Sequence, residues 1–378
     1  MGRHQPLTIL YVDHGEGLGG AEHSLLLLMR RLDRSHFRPV LACDEGPLAQ
    51  AARSASLETR VMPIPKLRRR PAGLLDLWRS GRRLAGFIKR ENAQIIHSNT
   101  MRASFVSALA ARLTGRPLIW HAHDLYGAGQ IGGRWYPWLM SHLARVVIAN
   151  SYAVARTIPR RDVWVIYNGI ELDRFNSNPD PRSARAALGL PESDVWIGTV
   201  GRMQPWKGHH LFLEAARRVS AHISEARFVI VGGRIFQADA DYEQQLRAQA
   251  VAAELNDRVH FAGQQDNVPT WLSAMDIFVH CSKAEPFGRV IVEAMAATRP
   301  VVAFADGGVP EIVVDQETGR LVPPGDVGAM ADAILELAHH RPLAERMGQA
   351  GRHRAEALFS AEAHVRKIEA VYADIIQR

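Results

Sequence analysis

Short apolar runs alternate with longer stretches whose apolar positions recur at helical spacing, almost without a break along the chain. Runs bounded by turn residues predict strands buried on both faces, and the stretches between them predict helices that cover those faces. In the first half, strands are predicted near 8–13, 39–44, 94–99, 117–124, 145–150 and 163–169, with helices such as Ala21 to Leu32 and Leu74 to Arg90 between them. The polar stretch from Asp173 to Arg182 carries two prolines and predicts a linker. A second series opens at Val195, with strands near 226–232, 258–262, 276–281 and 300–304 and another near 320. The tail from Ala361 to Arg378 is helical by pattern. Two such series predict an α/β protein of two doubly wound domains, each a parallel sheet between helices, facing each other across a cleft.

Length agrees, since 378 residues exceed one ordinary core. Apolar content of 47% with 22% charge describes a soluble globular chain, and no apolar run is long enough to span a membrane. The first apolar run is too short and acidic-ended for a signal peptide, and Cys43 and Cys281 each fall in a predicted strand. Reduced core cysteines and a cytoplasmic location are therefore expected. Charge adds an asymmetry. Residues 1–185 hold 27 Lys+Arg against 14 Asp+Glu, and the remainder holds 19 against 25. The basic half calls for an anionic partner such as a membrane surface, a phosphorylated lipid or nucleic acid. Within it, Arg68-Arg69-Arg70 precede a helix carrying Arg79, Arg82, Arg83, Lys89 and Arg90 beside Leu74, Leu75, Trp78 and Phe87. That is either a solvated face or a surface for anionic lipid.

The stretch Ser282 to Ala297, SKAEPFGRVIVEAMAA, is the richest in chemistry. It follows a predicted buried strand and becomes helical, with Val290, Ile291, Ala294 and Met295 forming an apolar face. Glu285 falls before that helix and Glu293 within it, so two carboxylates meet a helix start at the carboxyl end of a parallel strand. The amides of Gly288, Arg289 and Val290 suit a phosphate, and the carboxylates suit sugar hydroxyls. Arg202 and Lys207, five apart in Gly201-Arg-Met-Gln-Pro-Trp-Lys-Gly208, suit a diphosphate. Gly15-x-Gly17-x-x-Gly20, with Asp44 ending the next strand, matches a dinucleotide fingerprint only weakly. His121 and His123 point to one face of a strand, yet no companion ligand set supports a metal. Asp239-Ala-Asp241 reads as a helix N-cap region. The Gly- and aromatic-rich stretch Gly127 to Trp138 reads either as a loop over an acceptor or as a loop packed by its own aromatics.

The stretch AEPFGRVIVEAMAATRPVVA with Gly307-Gly308-Val309-Pro310-Glu311 resembles the nucleotide-sugar signature of glycosyltransferase family 4. The resemblance extends over nearly the whole chain. It includes Gly19-Gly20-Ala21-Glu22, the WHAHD stretch ending at Asp124, the Asn168-Gly169 turn, Arg202 with Lys207, and Thr318 to Pro324. Glu171 stands where the family carries Asp beside that turn. The resemblance implies a retaining hexosyltransferase of GT-B fold. Its Rossmann-like acceptor domain would be 1–175, completed by a returning helix 361–378; a linker 176–193 would lead to the nucleotide-sugar domain 194–360. It further implies a UDP- or GDP-sugar donor with no metal, no nucleic acid, and a saccharide or lipid-linked acceptor. The basic first half favours a membrane-attached acceptor of cell-envelope or exopolysaccharide synthesis at the inner face of the membrane, with a soluble small molecule as the alternative. Catalytic roles fall to Arg202, Lys207, Glu285 and His121, with His123 competing for the last place. Donor binding involves Gly19, Gly20, Arg202, Lys207, Gly263, Glu285, Phe287, Gly288, Arg289, Val290 and Glu293. A nucleotide-sugar epimerase, a phosphorylase carrying pyridoxal phosphate or a non-catalytic nucleotide-sugar sensor of the same shape are the alternatives.

Overall fold

The computed structural model describes residues 5–66, 71–127, 133–175, 180–192, 194–233 and 240–377. It divides into two compact units, Met1–Gly169 with Ala361–Arg378, and Ile170–Ser360. Arg68, Arg69, Arg70 and Asp239 lie outside the described residues, as do 128–132 of the Gly- and aromatic-rich stretch and 176–179 and 193 of the expected linker.

Among the described residues, the first unit holds a seven-stranded parallel sheet of β1 (Leu7–Val12), β2 (Phe37–Cys43), β3 (Glu58–Val61), β4 (Ile95–Ser98), β5 (Leu118–Ala122), β6 (Val146–Ala149) and β7 (Val163–Val165). Its spatial order is β3-β2-β1-β4-β5-β6-β7. The second holds six parallel strands, β8 (Val195–Val200), β9 (Ala226–Val231), β10 (Val259–Gly263), β11 (Ile277–His280), β12 (Val301–Phe304) and β13 (Gly319–Val322), in the order β10-β9-β8-β11-β12-β13. Strand order therefore reverses between β1 and β4 in one unit and between β8 and β11 in the other. Loops at the carboxyl ends of those pairs diverge to opposite faces, leaving a crevice in which open α/β sheets bind ligands.

The inner strands of each sheet are buried on both sides because they are apolar at nearly every position. In the first unit one face is covered by the helices Pro71–Arg90, Met101–Thr114 and Trp135–Leu143 through Leu84, Ile88, Val106, Tyr136 and Met140. The other face is covered by Gly20–Arg31 and the final helix Ala361–Gln377, whose Val365, Ile368 and Tyr372 complete the core. Cys43 and Cys281 are free and buried.

Two elements differ from expectation. β3 has no apolar run to announce it: it lies at the sheet edge, exposed to half-buried throughout, and is tied in by Arg60 to Glu91 (2.6 Å) and by Arg38 to Glu58. Part of the expected linker is a helix, Pro181–Leu188. Asp180 caps it, and the buried Arg185 reaches Asp276 (2.6 Å) and the Ala274 carbonyl (2.9 Å). Proline at the first helical turn is what a helix start tolerates, so Pro181 opens this helix rather than breaking one.

Candidate functional site

The loops after β8 and β11 meet at the order reversal of the second unit. Gly208, at φ +72°, lets the first loop turn into the helix His209–Ser220; a side chain there would stand 2.0 Å from the Cys281 carbonyl. This close approach brings Lys207 onto Glu285, with Nζ donating to Oε2 at 2.7 Å. His280, at the end of β11, shares that oxygen at 3.2 Å. Glu285 is only 6% exposed. Burial, the strongest influence, pushes its carboxyl up, but the Lys207 ammonium and the His280 hydrogen bond outweigh it and hold the group well below the usual range. Burial in turn lowers His280. The Lys207 ammonium also lies 4.1 Å from the Trp206 ring centre, and the Arg202 guanidinium 5.9 Å from the same ring. Two cations and one aromatic face thus converge beside a buried carboxylate.

The loop after β12 supports this arrangement. Gly307, at φ +59°, lies so close that a side chain would stand 2.1 Å from the Glu285 carbonyl, and the Gly308 amide donates to that carbonyl at 2.8 Å. Asp306 accepts from the Ala284 amide at 2.7 Å. The Gly-Gly-x-Pro-Glu motif therefore acts as a backbone brace under Glu285.

Gly288, at φ +100°, opens the helix Arg289–Ala296, which carries Glu293 one turn in. Arg289 pairs with Glu293 at 3.0 Å, leaving its Nη1 buried without a hydrogen-bond partner. Phe287, expected at the ligand, packs its buried ring edge-on against Phe359 at 5.9 Å and so helps to hold the turn before this helix. Gly263 ends β10 at φ +67°, and its carbonyl accepts from the Gly232 amide at 2.8 Å. Sequence reasoning left His280 and Asp306 without a role, although each stands at a strand end beside a motif.

In the first unit the order reversal carries the Gly15 to Gly20 loop and Asn99. The Gly19 amide donates to Glu22 Oε2 at 2.8 Å, capping the helix, while a side chain at Gly20 would meet nothing within 4 Å. Burial and the charge of Asp13 push Glu22 up to about 7. Asp44, the acid of the dinucleotide-like pattern, accepts from the Ile64 amide at 2.8 Å and so anchors the chain after β3. His121 and His123 do share one face, with ring centres 4.1 Å apart. His123 Nε2 meets Asn99 Oδ1 at 2.8 Å, and Asn99 donates to Asp13 at 2.8 Å. His121 Nδ1 meets His97 Nε2 at 3.1 Å, and its own Nε2 is buried without a partner. His97 continues to Tyr372 (2.7 Å) and Tyr372 to Tyr11 (2.7 Å).

Comparison with known proteins gives this geometry its context. Residues 180–354 match the family model described as glycosyl transferases group 1, and residues 18–174 match that of glycosyltransferase family 4. The lipopolysaccharide core biosynthesis mannosyltransferase LpsB of Rhizobium meliloti is 32% identical over 64% of this chain and 69% of its own length. LpcC of Rhizobium leguminosarum, also named a lipopolysaccharide core mannosyltransferase, is 28% identical over 83% of this chain and 85% of its own. Among solved structures, HepE of Anabaena in complex with UDP and glucose matches with a TM-score of 0.85 at 26% identity, over 97% of this chain and 99% of that one. The chain belongs to glycosyltransferase family 4 and is a glycosyltransferase of the GT-B type, built on two Rossmann-like units.

Proposed function

We propose that the chain is a retaining hexosyltransferase that moves a sugar from a UDP- or GDP-sugar to a lipid-linked or cell-envelope saccharide at the cytoplasmic face of a membrane, without a metal ion. The observation that carries this reading is the buried Lys207–Glu285–His280 cluster beside the helix start at Gly288 and the carboxylate of Glu293. Arg202 and Lys207 stabilise the negative charge that grows on the leaving diphosphate, helped by the amides of Gly288 to Val290. Glu293 accepts from the ribose hydroxyls once they displace Arg289, and Glu285 accepts from hydroxyls of the transferred sugar. Gly263 lends backbone to the base. In the first unit we assign His121 to the sugar, and Gly19 and Gly20 to the donor phosphates or the acceptor. The diphosphate oxygen takes the acceptor proton, which fits a site whose buried groups are an ion pair and neutral imidazoles rather than an activated nucleophile.

HepE supports a UDP-linked donor, because it was solved with UDP and glucose. LpsB and LpcC support a cell-envelope acceptor, being named for lipopolysaccharide core synthesis. The test is a panel of UDP-, GDP-, ADP- and TDP-sugars offered in chelator without acceptor. One donor should bind and slowly release free nucleoside diphosphate, and Glu293→Ala should weaken its binding about tenfold or more, as expected for lost hydrogen bonds from a carboxylate. If no donor binds, or Glu293→Ala binds as well as the wild type, the site assignment fails. Isomerisation of the sugar without nucleotide release would instead mark an epimerase.

A further inference from the structure

In a parallel sheet each crossover helix runs back against its strands, so its first turn lies at the sheet's carboxyl edge. The helices Pro71–Arg90, Met101–Thr114 and Trp135–Leu143 follow β3, β4 and β5 and share one core face. Gly81 lets the first two pack tightly, since a side chain there would stand 2.5 Å from Leu109. Phe105 of the middle helix stacks on Trp135 of the third at 5.5 Å. The three helix starts therefore adjoin along one rim of the first unit.

That rim is unusually apolar for a surface. Leu74 is 72% exposed, Trp78 47%, Trp135 58% and Trp138 56%, with Leu75 exposed as well. Cations are interleaved with them. The Arg82 guanidinium lies 4.8 Å from the Trp78 ring, and Arg79 and Arg83 stand beside it on the exposed side. Phe87 is not part of the rim, because it is half-buried against the core. Asp76 is the only acid between residues 71 and 90. Tryptophan and leucine set among arginines match the boundary between lipid headgroups and acyl chains, where the rings and aliphatic chains dip in and the guanidinium groups meet phosphates. No helix among the described residues is long and apolar enough to cross a membrane, so contact of this kind is peripheral.

We propose that this rim is a docking surface for a bilayer bearing anionic headgroups, with Leu74, Leu75, Trp78, Trp135 and Trp138 as the inserted groups and Arg79, Arg82 and Arg83 as the phosphate contacts. The inference rests on the rim alone and is independent of which sugar is transferred. The test is flotation of the full chain with phosphatidylcholine vesicles, with and without phosphatidylglycerol as a third of the lipid, in the absence of any nucleotide sugar. The wild type should float with the anionic vesicles and be released by high salt. Leu74→Ser with Trp78→Ser, and separately Arg82→Glu with Arg83→Glu, should each weaken partition about tenfold or more, on the scale of a few lost interfacial contacts. Thermal unfolding and donor binding should stay as in the wild type, because these side chains are exposed and outside the donor site. The proposal is overturned if the wild type floats with neither vesicle, or if both variants float as it does. Sedimentation velocity adds a third outcome. A self-association lost with Leu74→Ser and Trp78→Ser, without vesicle binding, assigns the rim to a second copy of the chain and likewise overturns the proposal.

Discussion

Glu285 keeps its charge in a place where burial opposes one, and it does so through two neighbours, Lys207 from a distant segment of the chain and His280 from the strand just before it. Lys207 and His280 both reach its Oε2. Removing one member of a buried pair leaves the other desolvated and uncompensated, which typically costs about 3–5 kcal/mol. Glu285→Ala is therefore expected to destabilise the second unit by that order, measured by urea unfolding. Adding Lys207→Met should recover a good part of the loss, since no orphan cation remains. A single variant as stable as the wild type would falsify the buried-pair reading. The spacing of Glu285 and Glu293, and of Arg202 and Lys207, is legible in the sequence because each pair lies within one loop–helix segment. The contact between the two segments is not, because it depends on β8 and β11 being neighbours, and strand order leaves no trace in periodicity.

At the scale of elements, glycines set the distances at which loops ride on one another. Gly307 and Gly308 let the loop after β12 touch the backbone carrying Glu285, and Gly208 lets the loop after β8 approach Cys281. Gly307→Ala adds a side chain 2.1 Å from the Glu285 carbonyl at a positive φ, so the brace must move and carry Glu285 with it. Donor affinity should fall about tenfold or more, the cost of a carboxylate displaced from hydrogen-bonding range. Gly115→Ala is the matched comparison: it has φ +68° but open space around it, so it should cost about 1 kcal/mol of stability and leave donor binding intact. Equal donor affinity in Gly307→Ala and the wild type, by calorimetry, would discard the brace. The strands buried on both faces were readable because their apolar runs are uninterrupted. β3 was not, because an edge strand held by Arg–Glu pairs has no apolar signature. The helix Pro181–Leu188 was not legible, because a proline that opens a helix looks like one that breaks it.

At the scale of the molecule, burial pushes His97, His121, His123, His209 and His280 toward the neutral form, and this shapes how the fold meets acid. In the first unit burial holds His97 down to about 3 and His123 to about 4, and keeps His121 well below 6.5. The charges that neighbouring histidines would carry act in the same direction, and Asp13 opposes them at His123. In the second unit burial holds His209 to about 4 and lowers His280. A base whose folded pKa lies below its unfolded value leaves the unfolded chain binding more protons. Stability is therefore intact above about pH 6.5 and is lost as pH falls toward the folded values, at about 1.4 kcal/mol per pH unit for each group. Glu285 adds a later loss. Its depressed carboxyl contributes stability above the ordinary 4.5, and that contribution fades only below it. Glu22, held up near 7, takes its proton in the fold before the unfolded chain does and offsets one histidine of the first unit, so the two units should decline with similar slopes between pH 6.5 and 5, followed through hydrogen exchange of β4 and β5 against β11. His123→Gln keeps an amide near the position of Nε2 facing Asn99 but cannot titrate, so it should flatten the first unit's slope by about one group's share. A stability that stays level from neutral pH to 5, or a slope unchanged by His123→Gln, would show that these histidines are solvated and charged in the fold. The network that links Tyr11 of the first strand, His97 and Tyr372 of the last helix would then not be the sealed interior described above.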